Sequence, residues 1–228
     1  MIVRRALITL FALSAALVAG CTSNAPSSPS LPDAGSLLKD SAASAGNFTS
    51  THFALKVNGS VPGLSVQRLD GDLTKANGGG AKGNGALTLL GQLVDAEFVL
   101  VNGSLYIKGP TGGWQKLPAA LSSSLYDPSA ILDPARGIPK LLAGVQNAKT
   151  EGEEDVNGVA TYKVTGTVPK DAMSGLLPGI PADANATIWV RKDAGHAPVK
   201  ASLGFPGNAT VDVTLSDVDK PVTVTAPA

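Results

Sequence analysis

The sequence predicts an α+β domain: an antiparallel, curved sheet with helices covering one of its faces. Three observations lead there. Apolar residues alternate with polar ones over several short runs, Asn-Gly pairs fall between runs, and the helical pieces are grouped instead of following each strand in turn. Grouped helices argue against βαβ units, and local turns argue for neighbouring strands that run antiparallel.

The elements follow in order. Asp33 is placed to cap a first helix whose narrow apolar stripe is Leu37, Leu38, Ser41, Ala42 and Ala45, ending near Gly46. Alternation then takes over at Phe53, Leu55, Val57; at Leu64, Val66; at Leu87, Leu89; and at Phe98, Leu100 with Leu105, Ile107. Asn58-Gly59, Asn77-Gly78, Asn84-Gly85, Asn102-Gly103 and Asn157-Gly158 are read as tight turns, because both residue types tolerate positive φ. Gly78 to Gly80, Gly83 and Gly85 are read together as a flexible hairpin end. In the middle, Asp127-Pro128 and Asp133-Pro134 each offer a cap followed by a proline at the first helical position, leading into Ile131, Leu132 and then Leu141, Leu142, Val145. Strands resume over 159–168, break at Pro169 for a helical piece carrying Met173, Leu176 and Leu177, and return at 188–190, 199–205 and 211–215. Glu151, Glu153, Glu154 and Asp155 lack calcium-loop spacing and are read as a solvated strand edge.

The N-terminus is an address. Arg4 and Arg5 precede an apolar stretch, 6–18, that is shorter than the roughly 20 residues of a spanning helix, and small residues follow at Ala19 and Gly20. Residues 1–20 are therefore expected to be a signal peptide. Val18-Ala19-Gly20-Cys21 resembles the bacterial lipobox, so Cys21 is the expected lipidation site, taking a covalent diacylglycerol and an N-acyl group and holding the chain on the outer face of the plasma membrane. The Ser- and Pro-rich stretch that follows Cys21 up to residue 32 is a linker; extended at about 3.1 Å per residue, its eleven residues reach on the order of 34 Å. The single domain is expected over 33–228.

Composition removes several function classes. The 18 basic and 18 acidic side chains of the 228-residue chain balance, and without clustered cations nucleic acid is not expected as a partner. One cysteine and two histidines, His52 and His196, leave no multi-cysteine metal site and no internal disulfide. His52 falls on the strand parity opposite Phe53 and is expected at the surface, His196 in a Gly-His-Ala turn. No Gly-x-Ser-x-Gly elbow occurs, nor any Gly-Lys-Ser/Thr after the glycine-rich stretch, so no catalytic residue and no enzyme activity are expected. Aromatics make up only 4% of residues, so the core must be built from Ala, Val and Leu.

Ordered motifs along the mature chain carry a resemblance. Val57-Asn58-Gly59 with Val61-Pro62-Gly63-Leu64, Leu69-x-Gly71-Asp72-Leu73-Thr74, Asp95-Ala96-x-Phe98-Val99, Leu105-Tyr106, and Tyr126-Asp127-Pro128 with Leu132-x-Pro134 together resemble the mycobacterial LppX, LprA, LprF and LprG lipoproteins. Leu31-Pro32-Asp33-Ala34 and Thr187-Ile188-Trp189-Val190 incline it toward the LprG branch. The resemblance implies an antiparallel half-barrel sheet with short helices on its concave face, enclosing an apolar cavity. It also implies a carrier of acylated lipids and glycolipids, of the triacylated glycolipid or triacylglycerol type, working with a major-facilitator exporter and needing no cofactor. Few rings and many small aliphatic groups are compatible with a cavity that is lined without being filled.

On that footing the expected cavity residues are Phe53, Leu55, Val57, Leu87, Leu89, Phe98, Leu100, Ile131, Leu141, Leu142, Val164 and Leu176, with helices at 33–45 and 127–145 as a movable cover. The competing expectation is a structural or chaperone-like envelope lipoprotein that docks a protein partner and holds no lipid; it calls for an exposed apolar patch.

Overall fold

The computed structural model describes residues 30–89, 91–117, 128–177 and 179–228, the side chains of 89, 128 and 129 excepted. Leu31–Ala228 form one compact unit. The cap foreseen at Asp33 is present: its carboxylate accepts from the Ser36 N–H at 2.8 Å and opens α1 (Ala34–Asn47), whose buried face is Ala34, Leu37, Leu38, Ser41 and Ala45.

Among the described residues eleven strands form one open antiparallel sheet, the half-barrel. The first six are β1 (Ser50–Asn58), β2 (Val66–Thr74), β3 (Gly80–Leu89), β4 (Gln92–Val101), β5 (Ser104–Lys108) and β6 (Gln115–Lys116). The last five are β7 (Gln146–Val156), β8 (Val159–Val168), β9 (Ala184–Arg191), β10 (Pro198–Phe205) and β11 (Ala209–Ser216). Each group is a meander of sequential neighbours, and the two are joined where the first strand pairs with the last, giving the order β6-β5-β4-β3-β2-β1-β11-β10-β9-β8-β7. At that seam Phe53 lies opposite Leu215, Leu55 opposite Val213 and Val57 opposite Val211, so three apolar pairs face the same side. The charged strand β7 is an edge, and Glu151, Glu153 and Glu154 each hold a lysine there (Lys149, Lys192 and Lys163, at 2.6–3.2 Å).

Between the two meanders the chain forms a 3₁₀ turn (Pro128–Leu132) and α2 (Ile138–Ala143); α3 (Lys170–Met173) follows β8. Asp127-Pro128 was expected to open a helix, and residue 127 lies outside the described residues. Asp133-Pro134 opens a turn and not a helix: the Asp133 carboxylate bonds the Arg136 side chain and the Ala135 N–H, each at 2.8 Å, and these contacts hold its pKa below the usual carboxylate value. Helix α2 starts four residues later, with Gly137 as its cap and Pro139 in its first turn.

Two turn expectations need correction. Asn102-Gly103 and Asn157-Gly158 adopt paired positive φ and close the β4–β5 and β7–β8 hairpins. Asn84-Gly85 instead lies inside β3, as does Gly83, so neither belongs to a hairpin end. Space is the reason. Gly83 is the register partner of Gly71, and a Cβ on Gly83 would run into the Asp70 carbonyl and stand 2.7 Å from the Gly71 Cα; at Gly85 it would meet the Arg68 carbonyl oxygen at 2.8 Å. The strands β2 and β3 approach one another there as no side chain would allow, and the sheet is creased between Phe53 and Phe98, the next residues along that row.

Candidate functional site

The concave face carries the candidate site. Phe53 and Leu55 of β1, Val213 and Leu215 of β11, Ala201 and Leu203 of β10 and Ile188 of β9 make its wall. Ile131 from the 3₁₀ turn, Ile138, Leu141 and Leu142 from α2, and Leu176 and Leu177 after α3 make its cover. Between wall and cover runs an apolar crevice of about 50 Å³. Period-two alternation points the wall residues inward, and the i, i+3, i+4 spacing of Ile138, Leu141 and Leu142 aims one face of α2 back at them.

Among the described residues Lys200 is the one ionisable member of the lining, and its ammonium is engaged elsewhere, 4.6 Å from the centroid of the Trp189 ring. The described surroundings of the crevice are thus suited to hydrocarbon, and among the described residues none stands there to activate a nucleophile. The histidines stand apart from it. His52 is half-buried on the outer face with Nδ1 2.9 Å from Asp72 and Nε2 3.6 Å from Asp70; His196 Nδ1 lies 2.9 Å from the Arg191 carbonyl, its ring edge-on to Tyr162. Among the described residues no three His, Cys, Asp or Glu side chains are grouped to hold a metal ion, and no helix is long and apolar enough to cross a membrane.

Of the residues expected in the cavity, Phe53, Leu55, Ile131, Leu141, Leu142 and Leu176 line the crevice. Val57, Phe98 and Val164 are buried in the same core but away from that lining; Leu87 and Leu100 are partly buried against it. Val57 stands at the far end of β1 from Phe53, β4 lies two strands beyond β2 and β8 beyond β9, while β3 touches only the 3₁₀ turn of the cover. The side chain of Leu89 and all of Cys21 lie outside the described residues. The expected cover is corrected as well: α1 contributes nothing to the lining, because its stripe packs beside α2 and onto β7, β9 and β10, leaving the cover to 131–142 and 176–177. Sequence reasoning missed Ile138, Leu177 and the whole contribution of β9, β10 and β11.

Comparison with known proteins gives the same picture of the whole chain. Residues 33–224 match the model of the LppX_LprAFG lipoprotein family. The "Lipoarabinomannan carrier protein LprG" of Mycolicibacterium smegmatis is 40% identical, with 98% of this chain and 96% of that protein covered. The protein of the same name from Mycobacterium tuberculosis is 37% identical over 98% and 95%. Among solved structures, LprF from Mycobacterium bovis superposes with a TM-score of 0.77 at 29% identity, covering 87% of this chain and 98% of that one. LppX from Mycobacterium tuberculosis does so with a TM-score of 0.65 at 28% identity, covering 86% and 100%.

Proposed function

The chain belongs to the LppX_LprAFG lipoprotein family, and from that membership and the crevice we propose that it is a membrane-anchored carrier, which takes the acyl chains of lipids or glycolipids between sheet and cover and moves them through the cell envelope. The observation that carries the reading is the crevice itself, apolar on both sides and closed by short elements. Relatives named as lipoarabinomannan carriers support a cargo of the glycolipid class; we propose further that the cargo is a triacylated glycolipid or a triacylglycerol.

The mechanism is non-covalent. In a bilayer each methylene is already stabilised by about 0.8 kcal/mol, so a carrier has only to match that value to load and to unload. A crevice of about 50 Å³ is far below the roughly 300–1,000 Å³ of ligand clefts. Loading therefore requires the cover to lift from the sheet, and 131–142 is built for it: one 3₁₀ turn and one six-residue helix, joined by Asp133's turn and ended at Gly144. Cys21 supplies the tether, through its acyl groups, to the outer face of the plasma membrane, the linker gives the body reach, and an exporter of the major-facilitator class delivers the cargo. The docking alternative is less well supported: among the described residues the large apolar side chains left exposed are Leu31 and Leu93.

Native mass spectrometry of the full-length protein, extracted from its own envelope, tests the reading. Lipid of one or two acylated classes should accompany it. No co-purifying lipid, and no uptake of a short-chain glycolipid, would overturn it.

A further inference from the structure

The outer face of the sheet, away from the crevice, is not smooth. A hollow of about 380 Å³ is lined by His52, Asp70, Asp72, Lys82 and Trp114, and one of about 220 Å³ by Arg68, Asp95 and Lys108; Asn84 and Glu97 line both, so the two are one trough. Register explains its walls. Ala54, Asp70, Asn84, Glu97 and Lys108 are successive partners across β1 to β5, and His52, Asp72, Lys82, Val99 and Tyr106 form the neighbouring row two residues along. Both rows project from the face opposite Phe53. The floor is the creased backbone at Gly71, Gly83 and Gly85.

We propose that this trough binds an oligosaccharide. Its charges alternate in sign, with four carboxylates (Asp70, Asp72, Asp95, Glu97) among three permanent cations (Arg68, Lys82, Lys108); it lacks the cationic surplus that holds a polyanion, and its apolar members, Ala96, Phe98, Val99 and Pro110, are interspersed with these charges instead of forming the continuous wall that holds an acyl chain. A sugar ring fits both shortcomings. Its hydroxyls donate to carboxylates and accept from ammonium and amide groups at once, the charge-assisted bonds that are strongest. Its C–H face needs a ring to lie on, and Trp114, half-buried at the rim with the Lys108 ammonium 5.8 Å from its centroid, provides it. The carboxylates here are only partly occupied: Asp72 holds His52 at 2.9 Å, Glu97 holds Lys108 at 3.0 Å and Asp95 holds Arg68 at 3.1 Å, each through one oxygen. Their remaining lone pairs point to solvent or to a ligand.

The choice of sugar rests on the glycolipid reading above; the site itself does not. Calorimetric titration of the full-length protein in phosphatidylcholine nanodiscs with lipid-free manno- and arabino-oligosaccharides should show saturable binding. Trp114→Ala, Asp70→Asn and Glu97→Gln should each weaken it about tenfold, the loss of one ring contact or charged bond, while lipid retention is unchanged. Competition by intact glycolipid identifies the sugar as the head of the cargo; simultaneous binding identifies it as a separate envelope polysaccharide. No binding at millimolar sugar, or binding indifferent to all three substitutions, overturns the proposal. Loss of lipid retention in the unsubstituted protein overturns the carrier reading alone.

Discussion

The carboxylate of Asp219 accepts two hydrogen bonds from one residue, Thr49: from its backbone N–H at 2.7 Å and from its hydroxyl at 2.8 Å. The chain end after β11 is thereby fastened to the entrance of β1, and the Asp219 N–H returns a bond to the Ser50 carbonyl at 2.9 Å. These bonds, the Thr49 backbone first, hold the Asp219 pKa below its ordinary value. A lowered folded pKa means stability that is full above the ordinary carboxylate range and is lost as pH falls through the folded value. Asp219→Asn should therefore be less stable than the parent at neutral pH, with the gap closing below about pH 4. Chemical denaturation at a series of pH values checks it; a gap that stays constant down to acid would refute the assignment.

At the crease, Gly83→Val should destabilise the fold by about 1–3 kcal/mol, the cost of forcing a side chain into filled space. The substituted position faces a backbone carbonyl, which cannot move aside without separating β2 from β3. Thermal unfolding measures the loss. An unchanged midpoint would mean that the two strands approach less closely than described.

Ala201 lines the crevice, whereas Leu87 lies beyond the crease. Ala201→Trp should abolish lipid retention in native mass spectra while the protein stays folded, and Leu87→Trp should leave retention intact. Equal effects from the two would show that the cargo extends over β3.

Cys21→Ala should move the protein from the membrane fraction to the soluble one and leave its lipid-binding capacity unaltered. Fractionation and lipid uptake are read on the same preparation. A variant that remains in the membrane fraction would show that something other than the Cys21 acyl groups holds it.

Much of the fold was legible because its signals are local. Asp33 with its stripe, the alternation of Phe53, Leu55 and Val57, and the Asn102-Gly103 and Asn157-Gly158 turns are set by residues a few positions apart. Asn84-Gly85 has the composition of those turns and sits in a strand, because what requires Gly85 is the backbone at Arg68, on the neighbouring strand. The crevice was half legible for a related reason. Leu203, Val213 and Leu215 are readable as strand residues, but that they stand beside Phe53 depends on β1 meeting β11, a pairing no short window contains. The cover followed the same pattern: its apolar residues were legible, but Asp133 caps a turn instead of α2, and only packing shows that α2 lies over the wall and α1 beside it.

That central seam also fixes the order in which the molecule can be completed. A chain that leaves the cell N-terminus first has its whole first meander outside before any of the second exists there, and Phe53, Leu55 and Val57 wait uncovered until Val211 to Leu215 arrive last. During that interval the half-built concave surface is an uncovered strip of hydrocarbon. For the carrier proposed above, completion of the sheet and the first opportunity to meet lipid would coincide.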